Sequence, residues 1–351
     1  MRNLLLLIAA AAAAAFASAP AEAVPSSRAR TPQAQSQSDP ETVRGAAELE
    51  GYATWLAELN RRQAPANHAI QSLHGAWQEA FASRDMPRAA AEFRGALART
   101  IEALDAAHAD LATIETPDFP RLALGDDLRP AALLTVFRRS NREIRTGIES
   151  FHPVLDAVQR NDSAAAQRAV GHLMSAMRLV VRSQATIMRA TLAGTPREES
   201  SWEIVNLDLL VFNAAERLLA AWPAIESRRP DPGFAPDLLA LADRIDANAR
   251  EGSIKLEAEL VSLSAELGEA EAARDTAAVS ILRRMIAGLT VSRQVFAPAR
   301  ALAAAFREQA PRLRGPIDFE AIGRISSALR VTRTEFERIG GEEVEAAAAA
   351  D

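Results

Sequence analysis

Apolar residues recur along this chain in alternating steps of three and four, the spacing of one face of a helix. The stripes run Phe93 to Ile114, Leu134 to Val158, Ala166 to Ile187, Ile204 to Ile225, Leu238 to Leu256 and Ala278 to Phe306. After one extra residue the fifth continues through Leu260, Leu263 and Leu267. Strict apolar–polar alternation, the mark of a half-buried strand, is sustained nowhere. The pattern predicts an all-α chain of roughly nine helices. Several should reach about 30 residues, or about 45 Å at 1.5 Å per residue.

Turn-forming residues fall where the stripes stop. They are Thr116–Pro120 with Gly125–Asp127, Gly194–Pro196, Arg229–Gly233 and Arg312–Pro316. Asp85, Asp162 and Asp275 each precede an alanine-rich start and are expected to cap a helix N-terminus. Tight turns between long helices predict antiparallel hairpins, 127–160 with 163–193 and 237–273 with 276–309. Together they would form one or two helical bundles. Residues 42–195 form the first, and 200–345 a second bundle or a continuation of the same array, with 346–351 a frayed tail. Segment 202–222 is apolar on more than one face, so it should lie centrally. Pro153 and Pro298 fall inside stripes that continue in register and are expected to bend their helices without ending them.

The ends add a compartment. Arg2, the run Leu4–Ala15 and the small residues to Ala23 have the layout of a secretory signal peptide, residues 1–23. Cleavage after Ala23 gives a mature start at Val24 in the periplasm or outside the cell. Residues 24–41, rich in Pro, Ser, Gln and Arg, read as a disordered linker. No later apolar run is long enough to span a bilayer. The chain has no cysteine, which excludes disulfides, thiolate catalysis and Cys-based zinc sites. Its net charge is −6 and its basic pairs are scattered, which argues against nucleic acid as a partner. Lys255 is the only lysine, and every other basic residue is arginine.

Candidate chemistry is sparse. All five histidines lie between His68 and His172. Asp105-x-x-His108 and Glu149-x-x-His152 have the spacing of di-metal sites in helical bundles, but both acids project away from their own stripes. His172, Met174 and Met177 offer soft ligands of the kind copper takes in an exported protein. Gap-filling methionine in the core is the plainer account of the same residues. His74 and Trp77 share a face that could line a pocket. Asn141, Asn206 and Asn213 sit in or beside stripes, where amides either fix helix register or face a ligand cavity. No G-x-S-x-G elbow, H-E-x-x-H pair or phosphate-cradling glycine loop occurs. The expectation is an exported, non-enzymatic helical protein with no cofactor. It would bind a protein partner or small ligand through helix faces, and its long helices could equally pair with copies of themselves. A periplasmic copper-type metal handler is the alternative.

Overall fold

The structure, a computed structural model, describes residues 40–82, 86–120, 122, 129–160, 162–195, 197–227, 229–315 and 318–350. The proposed signal peptide, nearly all of the proposed linker and the proposed cap Asp85 lie outside the described residues. Among the described residues all regular structure is helical. The helices are α1 (Pro40–Ala82), α2 (Met86–Leu111), α3 (Pro130–Glu149), α4 (Phe151–Gln159), α5 (Ser163–Gly194) and α6 (Ser200–Ala220). They continue with α7 (Trp222–Ser227), α8 (Phe234–Ala273), α9 (Thr276–Ser292), α10 (Phe296–Gln309) and α11 (Phe319–Ala349). Short 3-10 turns, Arg293–Val295 and Ala310–Leu313, flank α10.

The caps follow elementary hydrogen-bond demand. Asp162 accepts from the amide of Ala165 at 2.9 Å, and Asp275 from that of Ala278 at 3.0 Å. Asp318 accepts from Glu320 and Ala321 at 2.9 and 3.2 Å. Each supplies an acceptor to amides that have no partner within their own helix.

Three prolines coincide with interruptions in the helices. Pro153 has no N–H to give the carbonyl of Glu149, and α3 ends at Glu149. Pro298 cannot serve Gln294, and the helix tightens into the 3-10 turn Arg293–Val295. Pro223 cannot serve Leu219, and α6 gives way one residue later, at Ala220. At these three places the α-helical hydrogen bonding lapses about one turn upstream of the proline, at the deprived carbonyl, while the backbone stays in the right-handed helical region and the helix resumes within three residues. α1 runs through Pro65 without a lapse. At the other end α11 runs to Ala349, through the alanine run. Alanine is the strongest helix former, so the terminal alanine run extends the helix.

Packing runs along the chain and then closes. α1 lies on α2, α2 on α3 and α4, and these two on α5. α5 packs on α6, which joins the halves. In the second half α6 touches α8, α8 touches α9 and α10, both touch α11, and α11 returns to α6. One apolar core extends from Tyr52 on α1 to Ile339 on α11. As its sequence predicts, α6 is buried on several faces, Leu207, Leu210, Phe212 and Leu218 among them. Two glycines set closest approaches. A Cβ on Gly147 would lie 2.6 Å from Val180 and 2.8 Å from the Met177 methyl. One on Gly252 would lie 2.6 Å from the Phe296 ring and 2.7 Å from Glu203 Cβ.

Candidate functional site

Two features stand out once the helices are placed: a set of charged contacts radiating from α6, and a face of α8 that no described residue covers. The first begins with acids the apolar stripes did not reveal. Glu203, Asp208 and Glu216 all lie on α6, and each reaches a different neighbour. Lys255 Nζ on α8 donates to Glu203 Oε1 at 2.7 Å. Arg333 Nη1 on α11 donates to Asp208 Oδ1 at 2.7 Å. Arg182 Nε on α5 donates to Glu216 Oε1 at 2.5 Å. The central helix therefore has one carboxylate for each of the three long helices α5, α8 and α11 packed on it.

The Glu203 contact is the most elaborate. Burial raises the Glu203 pKa and outweighs the Lys255 ammonium beside it. Burial opposes the charge on Lys255 too, but hydrogen bonds to Glu203 and Glu251 prevail, and its pKa is raised. Its remaining proton goes to the Arg197 carbonyl at 2.6 Å. A lysine held protonated by three acceptors has no lone pair to offer a carbonyl substrate, so this amine is a clamp and not a nucleophile. Ser200 ties the start of α6 to Glu259 on α8 at 2.9 Å.

The Asp208 contact is deeper. The Arg333 side chain is 4% exposed and its guanidinium lies 4.6 Å from the centre of the Phe212 ring. Glu337 approaches Arg333 at 3.9 Å, and its buried Oε1 has no hydrogen-bond partner. Burial raises the pKa of Asp208, against the opposing pull of Arg333. Burial raises Glu337 likewise, with Asp208 adding to the effect. Nearby Glu343 is also raised by burial.

The sequence-proposed residues do not converge. Asn141, 2% exposed, exchanges two 2.9 Å hydrogen bonds with Gln63 on α1, a closed amide pair between α1 and α3. Asn206 donates to Asn248 on α8, whose own amide donates to the Glu203 carbonyl at 2.7 Å. Asn213 accepts from Arg189 on α5 at 3.5 Å. All three asparagines thus cross between helices, toward three different partners. His74 and Trp77 lie on α1, and their side chains are outside the described ones. His172 is exposed, while Met174 and Met177 are 1% and 0% exposed, so the three do not share a face. Asp105 and Glu149 are surface acids bridged by Arg145 at 2.7 and 2.8 Å. Among the described residues no three His, Asp or Glu side chains stand close enough together to hold a metal ion.

The second feature is the far part of α8. Beyond Gly252 only Leu256 and Leu263 are buried on it. On the opposite side Ile254 and Val261 are 71% and 70% exposed. Two large aliphatic residues left this open, two turns apart on one helix, form an apolar strip facing solvent. Hydropathy pattern alone could not separate this strip from the Leu256–Leu263 stripe, because both have helical spacing.

The fold and these contacts define an all-α protein whose central helix is clamped to its neighbours by ion pairs. No protein-family model, no curated protein and no solved structure matches the chain. Among the described residues no helix is long and apolar enough to cross a membrane.

Proposed function

We propose that this chain is an exported, non-enzymatic protein built of long helical hairpins, and that it binds a protein partner through a helix face. The observation that carries this reading is the open strip on α8. Its two aliphatic residues are over two-thirds exposed, while the other large apolar side chains among the described residues are mostly covered. Exposed aliphatic residues gathered on one face, and not scattered singly, mark an interaction surface. The polar contacts support a scaffold more than a catalyst. Lys255 and Arg333 are each held by carboxylates of their own chain, and the amides cross between helices as register pins. Export follows from residues 1–23, with the mature chain starting at Val24 in the periplasm or outside the cell.

The test is site-specific photo-crosslinking in the host. A photoreactive residue at Val261 should give a discrete adduct that Ile254→Glu abolishes. The same residue at His68, exposed on α1, should give none. Equal labelling at both positions, or none at Val261, would remove the docking role. N-terminal sequencing of the isolated protein should begin at Val24, and an intact Met1 would remove the export assignment.

A further inference from the structure

The open strip on α8 extends beyond its two aliphatic residues. Ile254, Ala258, Val261, Ala265, Gly268 and Ala272 follow one another in steps of four and three, and all six are exposed. This is a heptad seam about 27 Å long, turned away from the molecule's own core. We propose that its occupant is the same seam of a second copy, running antiparallel about a two-fold axis beside Leu263. The inference rests on the reading of this face as a docking surface and names its partner.

Two properties of the sequence select that occupant. The first is size. In the antiparallel register Ile254 meets Ala272 of the other copy, Ala258 meets Gly268, and Val261 meets Ala265. Each layer pairs a larger residue with a smaller one, so the two backbones can approach closely and evenly. A parallel pairing sets Ile254 on Ile254 and Gly268 on Gly268, a bulge at one end and a void at the other. The second property is charge. Along one flank of the seam stand Lys255, Ser262 and Glu269. Read antiparallel, this flank opposes lysine with glutamate at both ends and serine with serine at the axis. Lys255 is itself paired with Glu203 and Glu251, so what the antiparallel register gains on this flank is that Glu269 is kept away from Glu269 of the other copy. The other flank carries Glu257, Ser264 and Glu271. Its acids are neutralised within the chain by Arg293 at 2.9 Å and Arg283 at 2.8 Å. Identical patches that complement themselves about a two-fold give a closed dimer.

Sedimentation equilibrium of the full mature chain, up to about 100 µM, should show twice the chain mass. The double variant Ile254→Glu, Val261→Glu should sediment as a monomer with unchanged helicity, because both positions are open, and its melting temperature should not vary with concentration as the wild type's does. The chain has no cysteine, so single cysteines report geometry cleanly. Ser262→Cys or Ser264→Cys, next to the axis, should couple two chains through a short bismaleimide. Ile254→Cys and Ala272→Cys, at the far ends, should not. A monomer at every concentration would overturn the proposal, as would a dimer that survives the double variant. Coupling at Ala272→Cys equal to that at Ser262→Cys would mean a parallel pair and would overturn it too. If the purified chain is monomeric while the Val261 adduct forms in cells, the seam takes a different protein: the docking reading stands and this one falls. If the adduct is also missing, both fall.

Discussion

Gly147 shows how much a single hydrogen in place of a methyl group decides. A Cβ there would lie 2.6 Å from Val180 and 2.8 Å from Met177, both on α5 and both buried. Gly147→Ala should therefore cost about 1–3 kcal/mol, the usual penalty for overpacking a filled core. Gly323 on α11 provides the contrast, with nothing within 4 Å of its added Cβ. Gly323→Ala should stabilise by about 0.5–1 kcal/mol, because alanine loses less backbone freedom in a helix. Urea unfolding of the two variants checks both signs, and a stable Gly147→Ala would mean that α3 and α5 are not in close contact. Sequence pattern cannot separate these glycines, since each adjoins an isoleucine, Ile148 in one case and Ile322 in the other. The difference is what the neighbouring helix brings opposite them. Met177 is the same case: its spacing suited either a metal ligand or core packing, and its methyl group faces Gly147.

At the scale of the element, α6 is defined by its three carboxylates. The apolar pattern predicted its central position but passed over Glu203 and Asp208, because an acid inside an apolar run reads as a break in the stripe and not as a contact. Their burial now ranks them. Asp208 holds Arg333, which is 4% exposed. Asp208→Asn takes the nearest carboxylate charge from that buried guanidinium, and should cost about 3 kcal/mol. Glu216 holds Arg182, which is 54% exposed and can turn to water. Glu216→Gln should cost at most about 1 kcal/mol. Equal losses in thermal or chemical unfolding would contradict this account of how α6 is held. The proline interruptions are partly legible in the same way. The residue type announces a lost hydrogen bond. Whether the helix bends or breaks is set by the packing on either side, as where α3 and α4 both lie on α5.

Over the whole molecule two sets of carboxyl groups oppose each other with pH. Asp318 and Glu320 have lowered pKa values, from backbone amides in the first case and from Arg312 and Arg324 in the second. Hydrogen bonds to Arg61 and Arg62 bring Glu58 down to about 2. The stability these groups contribute is present above the ordinary carboxylate range and is lost as pH falls through their lowered values. Glu337 and Glu343 are raised from an ordinary value of 4.5 by burial. Their contribution is complete below that value and is lost as pH rises through their raised values. Stability should therefore peak on the acid side of neutrality. Glu337→Gln should raise the urea midpoint at neutral pH and flatten the decline above 4.5 while leaving the acid limb alone. An unchanged profile would mean that Glu337 is solvated. By itself the sequence determined the helical class, most breakpoints, the Asp162 and Asp275 caps and the central place of α6. Those depend on spacing, turn chemistry and local hydrogen bonding, which act within a few residues. Only the tertiary structure decided which acids are clamps, where the amides of Asn141, Asn206 and Asn213 go, and which of the two stripes on α8 faces water. Burial, and with it the cost of a charge or the exposure of an aliphatic side chain, is set by residues far away in the chain.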